Sequence, residues 1–169
     1  GKQIPINYGA RLSGQLGNYE LGFIQSNTKP VENMPGENFT VARVKRALLK
    51  QSYIGFVYTD RSSSKIKVDS SAMDQSLYGT DLDLKTSEFM GNKNLEFQAF
   101  LVYNTAPKNK PDLNFSDLSA RGFRLNYPND IIRTHVSYRE LGEMYNPAVG
   151  FSGRNGFKRI QPSFSYHPR

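Results

Sequence analysis

The chain has 169 residues, no cysteine or tryptophan, 37% hydrophobic residues and a formal net charge of +7. That length suits a single domain over residues 1–169, and the missing cysteines exclude disulfides, thiolate catalysis and cysteine-based zinc sites together. No run approaches the roughly 18 consecutive apolar residues of a membrane-crossing helix. The Lys and Arg are spread along the chain instead of forming a basic stripe, so nucleic acid is not an expected partner.

Polarity alternates with period two in a series of segments separated by turn residues, the pattern of β-strands. "INYGARLSGQ" and "YELGFIQSNT", linked by "LGN", read as a hairpin. Tyr8, Ala10 and Leu12 share a face opposite Gly9, Arg11 and Ser13, and Tyr19, Leu21 and Phe23 oppose Glu20 and Gly22. In "NFTVARVKRALL" the spacing of Val41, Val44 and Leu48 also fits an amphipathic helix, but the β-branched residues and the flanking strands favour a strand, with Arg43 and Lys45 on one face. Its partner "SYIGFVYTDR" sets Ile54, Phe56 and Tyr58 against Gly55, Val57 and Thr59.

"LYGTDLDLKT" and "NLEFQAFLVYNT", joined by "SEFMGNK", come next. Tyr78, Thr80, Leu82 and Leu84 face away from Gly79, Asp81, Asp83 and Lys85, and Phe97, Ala99, Leu101 and Tyr103 face away from Glu96, Gln98, Phe100 and Val102. "RGFRLNYP" and "RTHVSYRE" form a fourth pair across a Pro-Asn-Asp turn. Phe123, Leu125, Thr134, Val136 and Tyr138 are on its apolar side, and Arg124 and Arg139 on the other. "RIQPSFSYHP" would be roughly the ninth strand.

Short turns alternating with long polar stretches, around ten-residue segments of alternating polarity, are the pattern of a transmembrane β-barrel. The expected fold is all-β, an antiparallel meander of roughly nine strands forming part or whole of such a barrel. Its lipid-facing candidates are Tyr8, Leu12, Ile54, Phe56, Leu82, Phe97, Leu101, Tyr103, Phe123, Leu125 and Val136. Its lumen-facing charged candidates are Arg11, Arg43, Lys45, Asp81, Asp83, Lys85, Glu96, Arg124 and Arg139. Tyrosines at the ends of the apolar rows suit a headgroup layer, where the ring meets lipid and the hydroxyl meets water.

No catalytic, cofactor or metal site is expected. Asp81 and Asp83 share a face, but a hard cation takes more oxygen ligands than these two supply, and neighbouring cations account for them better. His135, beside Ser137 and Arg139, and His167 lie in no nucleophile-elbow or zinc motif. "GQLGN" and "GRNG" precede no helix and read as turns. "RVKR" reads as a basic strand, and "NPAVGF", with Pro147, Gly150 and Phe151, as a structural loop.

"YGARLSGQLGNYELGF", "NFTVARVKR" before "SYIGFVYTDR", "GTDLDL", and an Asn-Pro-x-x-Gly-Phe element followed by an Arg resemble a known family. It is the outer-membrane barrel domain of unknown function that follows a family-9-like carbohydrate-binding module in Gram-negative surface proteins. The resemblance spans nearly the whole chain and implies an exported protein in the outer membrane of a Gram-negative bacterium. The carbohydrate module and the terminal aromatic strand of the full pattern are not in this sequence, which implies an internal piece of a larger barrel. The expected role is a pore, transport or surface-anchoring module. Its partners would be outer-membrane lipid or lipopolysaccharide, with glycans or other envelope proteins besides. The alternatives are a soluble β-sandwich that binds glycans on Tyr and Phe platforms and, more weakly, an envelope hydrolase built on His135.

Overall fold

The structure, a computed structural model, describes residues 5–30, 35–63, 74–107, 110–147 and 153–168. These form nine strands: β1 (Ile6–Leu16), β2 (Tyr19–Thr28), β3 (Glu37–Leu48), β4 (Ser52–Ser63), β5 (Gln75–Phe89), β6 (Lys93–Asn104), β7 (Ser119–Pro128), β8 (Ile132–Leu141) and β9 (Phe157–Tyr166). All nine belong to one antiparallel sheet in chain order, each strand bonded to the next. The "NFTVARVKRALL" segment is strand β3, because β2 and β4 take up its backbone groups on both sides and a helix there would leave both neighbours unpaired. Gly150 and Phe151 of "NPAVGF" lie outside the described residues.

Left-handed residues stand in three of the four reversals at one end of the sheet. Gly17 turns β1 into β2 at φ 56°, Leu49 lies at φ 54° after β3, and Met90 and Gly91 at φ 50° and 95° turn β5 into β6. The β5–β6 link is therefore shorter than "SEFMGNK": β5 continues to Phe89 through an irregularity after Thr86, and only residues 90–92 reverse the chain. The connections at the other end span 29–36, 64–74, 105–118 and 142–156.

Residues directly opposite in an antiparallel pair point to the same side of the sheet. One side therefore carries the row Leu12, Phe23, Ala42, Tyr58, Tyr78 and Tyr103, and beside it the row Ile54, Leu82, Ala99, Phe123, Tyr138 and Ile160. Rings run along this face: Phe97 over Phe123 with centroids 6.4 Å apart, Phe123 against Tyr138 at 6.0 Å, and Tyr58 against Tyr78 at 5.2 Å. None of the described residues forms a layer over it. Leu12 is 72% exposed and Ile160 71%, and the only buried apolar side chains among the described residues are Leu77, Leu118 and Ala120. A β-sandwich would bury this face under a second sheet; all nine strands belong to one. The sheet is also open, for β1 and β9 each pair on one side only, and β1 is exposed throughout its length.

The best-buried cluster among the described residues lies at the long-loop end. Leu118 and Asn104 are each 1% exposed. The Asn104 N–H donates to the Leu118 carbonyl at 3.0 Å, while the Asn104 Oδ1 accepts the Asn146 N–H at 3.1 Å. The Gly142 and Met144 amides donate to the Ser119 and Asp117 carbonyls at 2.8 and 3.0 Å. Burial here pushes the Tyr145 phenol above its ordinary range. The connections after β6 and β8 are thus tied to each other and to the end of β6. At Gly142 a Cβ would meet the Asp117 carbonyl at 2.2 Å, so only glycine lets the two segments approach this closely.

Asn104→Ala leaves the Asn146 amide without its acceptor in a buried site and should lower unfolding stability by about 1–3 kcal/mol in a denaturant titration. Asn7→Ala, at an exposed contact with Asn27 on the edge, should change it by less than about 0.5 kcal/mol. Equal effects would show that the loop cluster carries no special share of the stability.

Candidate functional site: the charged face of the sheet

The opposite side of the sheet collects the charge. One cross-strand row reads Gln15, Glu20, Lys45, Gly55, Asp81, Phe100, Gly122, Arg139 and Arg159, one residue from each strand. Two residues along, Tyr53, Asp83, Gln98, Arg124, Ser137 and Gln161 form the next row, followed by Lys85, Glu96, Asn126, His135 and Ser163. Arg11 and Arg43 share this side through Ile24 and Val41, and through Gly22 and Val57. The structure therefore gathers Arg11, Arg43, Lys45, Asp81, Asp83, Lys85, Glu96, Arg124 and Arg139 on one face of one sheet. A cavity of about 460 Å³ lies along this face between β4 and β9.

The carboxylates of this face are held by partners from other strands and, at Asp83, also by Lys85 of its own strand. Arg43 Nη2 contacts both Asp81 oxygens at 3.0 Å, reaching from β3 across β4 to β5. Gly55 makes that span possible, because a Cβ there would lie 2.6 Å from Asp81 Oδ1 and 3.1 Å from Arg43 Nη2. Asp83, 6% exposed, accepts from Lys85 Nζ and Gln98 Nε2, both 3.2 Å from Oδ2, while its Oδ1 is buried without a hydrogen bond. Glu96 accepts from Asn126 Nδ2 at 3.0 Å, Glu37 pairs with Arg61, and Glu20 lies 3.9 Å from Lys45, whose ammonium also sits 4.4 Å from the Tyr53 ring centroid. Asp81 and Asp83 each have a separate cationic partner, and no group of His, Asp and Glu suited to a metal occurs among the described residues. His135 lies opposite Asn126 and Ser163 and so faces no carboxylate across either pairing.

Several charges escaped the sequence reading. Arg159 joins the charged face opposite Arg139, although the long connection before β9 hides which of its sides is which. Arg121, Glu140 and Lys158 lie in one row on the apolar face, directly in line with Leu101. Arg121 Nη2 and Lys158 Nζ approach Glu140 Oε1 at 2.8 and 3.4 Å, and the Tyr138 hydroxyl donates to Oε2. The signal for Arg121 was present, since counting back in twos from Phe123 reaches it. Arg46, also on the apolar side, stands 5.6 Å from the Tyr19 ring centroid.

No family model, curated protein or solved structure matches the chain.

Gly55→Ala pushes a methyl into the Arg43–Asp81 pair and should cost about 1–3 kcal/mol of unfolding stability, as overpacking does. In a double-mutant cycle Asp81→Ala should recover part of that loss, because it removes the carboxylate group with which the added methyl competes for one space. Strictly additive costs would mean that the glycine does not serve the ion pair.

Proposed function

We propose that this sheet is part of the wall of an outer-membrane β-barrel, with the apolar face against lipid and the charged face lining a wet lumen, and that it works as a pore or transport module. The observation that carries this reading is an apolar face that continues over nine consecutive strands of 10 to 15 residues with no layer over it among the described residues. Strands of globular proteins average roughly 5–6 residues, whereas a tilted membrane-crossing strand needs about 9–11. On β6 the outward residues run from Leu95 to Tyr103. Eight rises of about 3.3 Å, tilted by about 40°, give a height of about 20 Å, near the roughly 25 Å apolar band of such barrels.

Three further features support the reading. Tyr78 and Tyr103 lie opposite each other near the long-loop ends of β5 and β6, where an aromatic girdle would be, with Tyr58 in register beside them on β4. Of the charges on the apolar side, Arg121, Glu140 and Lys158 lie at the same end and Arg46 at the turn end of β3, the two levels where headgroups and water would begin. The resemblance to the outer-membrane domain that follows a carbohydrate-binding module points to the same membrane. Strand direction adds a rule of assembly. β1 and β9 run the same way, so an all-antiparallel barrel closes only by adding an odd number of strands between them, the smallest being ten-stranded.

Ala99 and Gln98 are neighbours on one strand and point to opposite faces; Ala99 lies between Leu82 and Phe123, and Gln98 between Asp83 and Arg124. Ala99→Arg should destabilise the membrane-inserted protein by about 2–4 kcal/mol and lower its assembly into outer membranes. Gln98→Arg should assemble at near the parent level. Both are read by heat-dependent gel mobility and protease resistance of the full-length protein, and equal assembly of the two variants would overturn the membrane reading.

A further inference from the structure

The two halves of the charged face are balanced differently. Its carboxylates, Glu20, Glu37, Asp81, Asp83 and Glu96, all lie on β2, β3, β5 and β6, and each has a partner. The same face of β7, β8 and β9 carries Arg124, Arg133, Arg139 and Arg159 and no carboxylate. Arg133 donates to the Asn129 carbonyl near the turn end. Arg124, Arg139 and Arg159 make no side-chain hydrogen bond or ion pair among the described residues.

Their placement works against the stability of the sheet. Arg139 and Arg159 are directly opposite each other on β8 and β9, and like charges in that position destabilise a strand pair. Arg124 is one row away, opposite Ser137, so three guanidinium groups converge from three adjacent strands. They line the cavity of about 460 Å³ together with the hydrogen-bonding side chains of Gln98, Ser137 and Gln161; the two carboxylates of the same lining, Asp81 and Asp83, belong to β5 and are held by Arg43 and Lys85. Gly122, opposite Arg139 on the β7 side, leaves the space beside that arginine to the Phe100 ring, 2.9 Å from where a Cβ would be. A guanidinium offers a planar fork of donors matched to two oxygens of one anion. The partner that would offset three of them at once is a polyvalent oxyanion.

We propose that Arg124, Arg139 and Arg159 form a binding site for a phosphate- or sulfate-type oxyanion on the charged face of β7–β9. Binding needs only that this face be wet; its consequence, a preference of the pore for anions, rests on the barrel reading above. The anion bridges Arg139 and Arg159 across the strand pair and replaces their repulsion by a shared counterion. The remaining half of the face, where cation and carboxylate already meet, has no comparable demand.

The test uses the full-length protein refolded in detergent, with thermal unfolding and calorimetric titration in inorganic phosphate, sulfate or chloride at constant ionic strength. Phosphate and sulfate should raise the unfolding midpoint above that in chloride, saturably. The double variant Arg139→Gln/Arg159→Gln should bind phosphate at least about tenfold more weakly. In chloride it should unfold no earlier than the parent, because the like-charged pair is gone. Arg11→Gln, on the same face but on β1, should keep the full phosphate effect. Equal phosphate stabilisation of parent and double variant, equal loss in Arg11→Gln, or a double variant that fails to fold would each overturn the site. Tighter binding of glucose 6-phosphate than of inorganic phosphate would assign the site to phosphorylated solutes, and the reverse order to the free ion. Phosphate binding without membrane insertion would overturn the barrel reading alone, and insertion with conductance but no phosphate binding would overturn this site alone.

Discussion

Successive side chains of a strand alternate between two faces, so a slip of one residue at any pairing would invert the identity of every strand beyond it. In this sheet the register irregularities lie near strand ends, between Ile6 and Tyr8 and between Thr86 and Phe89. Between them the alternation passes from Leu12 on β1 to Phe164 on β9 without inversion. The separation of an apolar face from a charged one is the product of that continuity. Neither face is built by packing between layers, and the described residues contain very little of a conventional core.

The two faces make opposite demands. The apolar one carries leucines, phenylalanines and tyrosines at exposures that water does not stabilise, and covering them would be worth about 25 cal/mol for each Å² removed from water. On the charged face the Arg43–Asp81, Arg61–Glu37 and Lys45–Glu20 pairs cross strands, and Lys85–Asp83 lies along one. Arg43 reaches Asp81 over Gly55, a bridge of three strands in which the absent side chain of the middle one is the structural element. These pairs are partly exposed, 38% for the Arg43 side chain and 25% for that of Asp81, so each adds little stability and serves more to set where charge is cancelled and where it is left over.

How much of this was legible in the sequence depends on how far parity travels. Within a strand it is carried by simple counting, and through a two- or three-residue reversal it survives, which is why Tyr8, Phe23, Phe56, Leu82 and Phe97 could be set on one side from the residues alone. A connection of more than ten residues has no fixed parity, so Arg159 could not be matched to Arg139 before the pairing of β8 with β9 was seen. Arg121 and Glu140 were missed for another reason: alternation is judged on apolar residues, and a charge at the rim of an apolar row looks like the end of the strand. The buried cluster around Asn104 and Leu118 left no trace, because its order comes from backbone hydrogen bonds between two loops and not from a periodic pattern.

The open edges have a consequence for how the molecule comes together in time. Every strand pairs with its neighbour in the chain, so the sheet can grow hairpin by hairpin, each closure drawing on local contacts of the kind that form in microseconds. In the barrel proposed above, the step that occupies the outer rims of β1 and β9 is of another kind, since the added strands must join two strands that the whole sheet separates. Loop-closure entropy rises only with the logarithm of length, about 2 kcal/mol for a tenfold longer loop, so that step is slow chiefly because it waits for all the others. Until it is complete, two bare strand rims can recruit a wrong neighbour as readily as the right one. The order of events, and a helper that shields those rims while the last seam forms, would then govern yield more than the strength of any single contact.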